Sequence, residues 1–267
     1  MKVAVAQFAS GKDKAENLAQ ISTLAAQAHH AGAQVGVFPE GAMHAFGLPT
    51  DDLSVAAEPL DGPFVAALGK LATRLEMTLV AGMFELIRGE RRVHNTAVVV
   101  RPREGLVLSH RKRYLYDAFE DRESDQMRAG DTDLPLLDVD GFVTAIAICY
   151  ELRFPAFVQD AADRGAELLL VPSAWVAGPL KEEHWTLMVR ARSIENTMYV
   201  AGAGMSGAGY CAKSMIVDPM GVVAASLGEG QGVTVADVTK ERLAKVRGRL
   251  PLVEQRRAAA RAKVPAG

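Results

Sequence analysis

FVTAIAICYELRFPAFVQDAADRGAELLLVPSAW, residues 142–175, decides the fold. An apolar, β-branched run at 142–151 leads into a helical stretch at 155–165, and a second apolar run, ELLLVPSAW at 167–175, follows at once. Runs of this kind, too short to be helices and joined by a helix, read as buried strands of an α/β protein. Downstream the rhythm continues with a helix at 182–196 and a strand at 198–205, then a hairpin over 213–226 around Pro219 and Gly221, a strand at 232–238 and a short helix at 239–247. Upstream, VAVAQFA at 3–9 is a strand, and 14–31 a helix with Leu18, Ile21, Ala25 and Ala28 on one face and Gly32 at its end. A strand at 33–40, a helix at 63–76 and a strand at 78–87 repeat the pattern, before two consecutive strands at 95–101 and 105–112 break it. Local hairpins within an alternating chain imply mixed sheets. The expected architecture is α/β, an α-β-β-α sandwich in which each half of the chain forms one sheet, with helices outside. We expect one domain over 1–250 and a basic tail over 251–267, solvated and partly disordered or used in subunit contact.

Composition narrows the function. The 267 residues carry 30 Lys+Arg against 32 Asp+Glu, with 49% hydrophobic residues, which suits a soluble domain with a large core and gives no basic footprint for nucleic acid. The apolar runs fall short of the roughly 20 residues of a spanning helix, and the polar GKDKAEN soon after the start fits neither a signal peptide nor an anchor. A cytoplasmic protein with no membrane partner is expected. Two cysteines, Cys149 and Cys211, make no disulfide framework in so long a chain, so one is open to a chemical role.

Motifs for zinc proteases, zinc ribbons and serine α/β-hydrolases are absent. GAGYCAKS at 207–214 lacks the glycine before the lysine that a phosphate-binding loop requires and precedes a strand, so it reads as a tight loop. Three other segments place a reactive side chain at the end of a strand, where α/β sheets build sites: Glu40 in VGVFPEGAM, Lys112 in LVLSHRKRYLYD, and Cys149 in AIAICYELRFP. Singly, each has a bland reading as a solvated strand end, a member of a basic run, or a small core residue. Together they supply what a nucleophilic thiol needs: a carboxylate base, a cation and a nearby helix start.

The segments FPEGAM, HRKRYLYDAF and AICYELRFP, in that order, resemble those of the nitrilase superfamily of carbon–nitrogen hydrolases. The likeness extends through RESD at 122–125, VPSAW at 171–175 and HWTLMVRARSIEN at 184–196. The resemblance implies a cofactor-free, metal-free thiol amidase with a catalytic Glu40, Lys112 and Cys149 and with Glu123 as an additional glutamate holding substrate and lysine. It points to the branch of omega-amidases, deaminated-glutathione amidases and related bacterial amidases, in which the equivalent of Arg153 can pair with a substrate carboxylate; a structural ion pair with Glu151 or Asp160 is the competing reading. Tyr116, Phe119, Tyr150 and Trp175 are candidates to line the pocket, with Trp175 equally a core residue. The stretch Trp175 to Lys181 lacks the Thr-Gly pair of the omega-amidases, so this wall is expected to differ. Nitrile or N-carbamoyl substrates need the same catalytic residues, and a thiol sensor is a reading of another class. On the helix at 182–196, Arg192 and Glu195 are expected to pair. The resemblance also implies a homodimer through this helix and the one after Cys149.

Overall fold

The computed structural model describes residues 1–47 and 51–262. The chain begins with β1 (Lys2–Gln7), α1 (Lys14–His30), β2 (Val35–Val37), α2 (Pro63–Leu75), β3 (Thr78–Leu86), β4 (Val93–Arg101) and β5 (Gly105–Arg111). A small hairpin, β6 (Asp117–Ala118) and β7 (Asp121–Arg122), precedes β8 (Leu136–Val139) and β9 (Phe142–Ile146). Then come α3 (Pro155–Asp163), β10 (Leu168–Ser173), α4 (Lys181–Asn196), β11 (Tyr199–Gly204), β12 (Met215–Val217), β13 (Val223–Ser226), β14 (Gly232–Asp237), α5 (Lys240–Arg249) and α6 (Leu252–Ala262). Local chemistry sets the helix starts. Asp13 caps α1 by accepting from Ala15 N at 2.7 Å, Pro63 stands at the first turn of α2, and Thr239 caps α5 by accepting from Arg242 N.

Two six-stranded mixed sheets form, ordered β14-β1-β2-β3-β4-β5 and β13-β12-β11-β10-β9-β8. Within them β1, β2 and β3 run parallel, as do β9, β10 and β11. The two-residue period of a strand distributes its side chains between two cores. On β1, Val3 and Val5 enter the core shared by the two sheets, while Ala4 and Ala6 face the helices; on β4, Ala97 and Val99 point in, Val98 and Val100 out. The expected α-β-β-α sandwich is what the chain forms, with one correction to its division. β14, from the second half, pairs antiparallel with β1 and completes the first sheet, Lys2 lying opposite Asp237. A parallel strand such as β1 would otherwise expose an unpaired edge.

One other expectation changes. The strand assigned to 142–151 stops at Ile146, because Cys149 has φ +45°, incompatible with a pleated strand, and opens a 3-10 turn through Arg153. Of the tail over 251–267, expected to be solvated and partly disordered or used in subunit contact, the described part is helical to Ala262 and 263–267 lie outside the described residues: Arg256 pairs with Asp163 at 2.8 Å, and Arg257 donates to the Asp163 carbonyl at the end of α3. Arg192 and Glu195 pair at 2.7 Å as expected. Among the described residues, no helix is long and apolar enough to cross a membrane.

Candidate active site

The three loops singled out in the sequence converge at one end of the sandwich. Glu40 follows β2, Lys112 follows β5 directly, and Cys149 lies three residues beyond β9. Glu40 can pack this tightly because residue 82 on β3 is glycine: a Cβ there would lie 1.5 Å from the Glu40 carbonyl oxygen. Glu40, Lys112, Glu123 and Cys149 line one cavity of about 330 Å³.

Glu40 is 1% exposed. Its Oε1 accepts from Lys112 Nζ at 2.8 Å and from Asn95 Nδ2 at 2.7 Å, and its Oε2 from the Ala174 amide at 2.8 Å. Lys112 reaches Glu123 Oε2 at 2.8 Å, and Glu123 accepts in addition from Asn95 Nδ2 at 2.8 Å and from the Tyr116 amide at 2.6 Å. Two carboxylates thus share one ammonium and one amide, leaving a single net negative charge out of water. Such groups persist only when paired and hydrogen-bonded. Burial pushes the Lys112 ammonium down, but the charges of Glu123 and Glu40 outweigh it and hold it well above the usual lysine range. Burial pushes the Cys149 thiol up and the Glu40 carboxylate pushes it further, against the pull of Lys112. The result is a protonated thiol next to a carboxylate, not a resting thiolate.

Three residues whose part sequence reasoning missed hold this arrangement. Asn95, on β4, ties Glu40 to Glu123. Its only signal was a polar residue near the head of an apolar strand. Glu151 is fully buried; it accepts from the Ile148 amide at 2.7 Å, from His110 Nε2 at 2.9 Å and from the Arg113 amide at 2.7 Å. One carboxylate therefore fastens the peptide preceding Cys149 to the peptide following Lys112. Lys181, the first residue of α4, donates to Tyr116 Oη at 2.7 Å and lies 3.4 Å from the Phe119 ring centre.

The predicted pocket wall is assembled with one exception. Tyr116 stands edge-on to Tyr150 at 5.0 Å, and burial first of all lifts its phenol to about 12, so it is neutral. Trp175 serves both readings made of it: it lines the cavity, packs on buried Trp185 and donates from Nε1 to the Lys181 carbonyl. Phe119 is the exception, 73% exposed and outside the lining, because its φ of +61° at the tip of the β6–β7 hairpin turns it outward. Arg153 lies over Trp175 at 4.7 Å and meets His184 Nδ1 at 3.3 Å. The ion pairs suggested for it do not form, since Glu151 is committed as described and Asp160 pairs with Arg164. The loop at 207–214 contains two glycines at positive φ and leads into β12, with no helix to receive phosphate.

Residues 2–248 match the model of the Carbon-nitrogen hydrolase family, and the chain belongs to it. Among its relatives is the deaminated glutathione amidase of Escherichia coli O157:H7, 37% identical over 96% of this chain and 97% of that one. The C. elegans NitFhit protein superposes with a TM-score of 0.90 at 26% identity, over 97% of this chain; the chain spans 65% of that longer protein. A mutant amidase of Nesterenkonia sp. AN1, solved after Michael addition of acrylamide at its active site cysteine, superposes with a TM-score of 0.81 at 25% identity over 94% of this chain and 98% of that one.

Proposed function

We propose that the chain is an amidase that converts a small carboxamide to its carboxylic acid and ammonia through a thioester on Cys149. The observation that carries this reading is the buried thiol, kept protonated beside a carboxylate that is itself fixed by three donors. Such a thiol attacks only as it loses its proton, so a base at the moment of attack is the natural use of Glu40. Cys149 Sγ bonds to the amide carbon while Glu40 takes the thiol proton. The tetrahedral oxyanion faces Lys112 and the Tyr150 amide, which occupies the first turn of the 3-10 segment, where backbone N–H groups have no acceptor of their own. Removing one such donor typically lowers the rate by about 10²–10³. Collapse breaks the carbon–nitrogen bond, Glu40 returns the proton to the departing ammonia, and Glu40 then activates the water that cleaves the thioester. Glu123 holds Lys112 together with Glu40.

Arg153, which has no carboxylate within 4 Å among the described residues, is assigned to a substrate carboxylate, for which a guanidinium fork is suited. Ammonia release from a panel of neutral amides, dicarboxylate monoamides, nitriles and N-carbamoyl amino acids tests the reaction class. Turnover of amides that disappears in Cys149→Ala supports the reading; turnover that survives the substitution overturns it. Arg153→Leu is expected to raise KM for carboxylate-bearing amides far more than for neutral ones.

We also propose a homodimer working in the cytoplasm, where both thiols stay reduced. Leu187 and Ile194 of α4 are exposed next to exposed Met220, Val222 and Val223 of the β12–β13 hairpin, an apolar surface suited to a second copy.

A further inference from the structure

The wall of the cavity opposite Lys112 holds two cations and no acid to match them. Lys181 is 7% exposed, and its ammonium has only the Tyr116 hydroxyl and the faces of Phe119 and Tyr116 for company. Arg153 is flat against Trp175, with His184 as its polar neighbour and a buried Nε that has no partner. Among the described residues no carboxylate comes within 4 Å of either side chain. The acids that share the cavity on this side, Glu120 and Asp121, are exposed at its mouth and screened by water. Burial first, and then Arg153, hold the Lys181 ammonium below its usual range, despite Asp121. Two like charges in one cavity, Lys181 buried and Arg153 partly so, are destabilising on their own, an arrangement that a binding site keeps when a ligand supplies the counter-charges.

We propose that Lys181 and Arg153 form a two-point anion site, so that the preferred amide carries two carboxylates, one for each cation. This rests on the amidase reading and names its substrate class. The segment involved is the one whose sequence departs from the omega-amidase pattern, and the departure places Lys181 at the start of α4, where its side chain reaches across to Tyr116. Lys181 is in these terms a specificity-determining residue, remote from the thiol chemistry.

The test is calorimetric titration of the Cys149→Ala protein with succinamate, which has one carboxylate, and with the primary monoamide of tricarballylate, which has two. The dianion is expected to bind at least about tenfold more tightly. Lys181→Gln, which can still hydrogen-bond Tyr116 but has no charge, should weaken the dianion by about 10–100-fold and bring the two affinities together, as the loss of a charge-assisted hydrogen bond predicts. Lys181→Arg should recover most of the preference. Equal affinities in the parent protein, an equal effect of Lys181→Gln on both ligands, or no binding of either would overturn the proposal. Ammonia release from the same two compounds by the protein with Cys149 intact separates the claims: a dianion bound through Lys181 but never hydrolysed would refute the amidase reading and leave the anion site standing.

Discussion

Replacing Asn95 by alanine removes the one neutral group that ties the two buried carboxylates together. Its Nδ2 donates at 2.7 Å to Glu40 and at 2.8 Å to Glu123. Glu40 would retain Lys112 Nζ and the Ala174 amide, and Glu123 would retain Lys112 and the Tyr116 amide, so neither carboxylate is stranded. A hydrogen bond to a charged group contributes about 1.5–3 kcal/mol, and water entering the space left by the side chain restores part of the two that are lost, giving a net cost of about 2–4 kcal/mol. At roughly 2–4 °C per kcal/mol for a domain of this size, Tm should fall by roughly 5–15 °C in a calorimetric scan. Glu40 loses one of its three donors, so its aim at the thiol loosens, and kcat for ammonia release should fall by about 10–100-fold with KM within about threefold. A variant with near wild-type kcat would refute the claim that Asn95 positions the base. A loss confined to KM would show that it serves the substrate instead.

Three further outcomes follow from the same geometry. The Glu40 charge raises the Cys149 thiol, so Glu40→Gln should lower it and increase the thiolate fraction; iodoacetamide should then alkylate Cys149 faster at pH 8 even as ammonia release collapses by about 10²-fold or more. Slower alkylation would refute the assigned sign. Glu151→Gln replaces an acceptor of backbone N–H groups with an amide that must turn its own NH₂ toward Ile148, His110 or Arg113, and we expect a drop in both kcat and Tm, with Glu151→Asp recovering less than half of the activity. Unchanged kcat in the folded variant would leave Glu151 a purely structural residue. Leu187→Glu, on the exposed face of α4, should shift the mass measured by light scattering from dimer to monomer; a wild-type monomer at every concentration would dismiss the dimer.

Most of the layered fold could be read from the sequence because strands such as Thr78–Leu86 and Leu168–Ser173 are continuous apolar runs, and α1 and α3 are bounded by a capping aspartate and a proline. The reach of β14 could not, since period and propensity say nothing about which edge a strand joins. The 3-10 turn at Cys149 escaped for a different reason: Ala147 and Ile148 before it are as apolar as the strand, and the turn is held through Glu151 by the distant His110 and Arg113 amide. The helix at 252–262 was hidden by its composition, arginine and alanine with little apolar period, and is held by ion pairs and carbonyls at the end of α3. For the site, motif order disclosed the reactive side chains. Asn95 stayed out of sight, and Glu151 and Lys181 were given other parts, because their partners Glu40 and Glu123, His110 and Arg113, and Tyr116 are distant in sequence.

The pairing of β14 with β1 also bears on how the protein is made. Met1 donates to the Val238 carbonyl, 237 positions along the chain, and Lys2 lies opposite Asp237, so β1 waits for a strand made long after it. Until then the β1 edge is an open template for another chain, in a fold already rich in long-range pairings and therefore slow to complete. A nascent chain stalled before residue 232 would hold Glu40, Lys112 and Cys149 in full and still lack the strand that seals the sheet on which Glu40 rests. A chain cut off before β14 should thus yield aggregate, not a partly active enzyme.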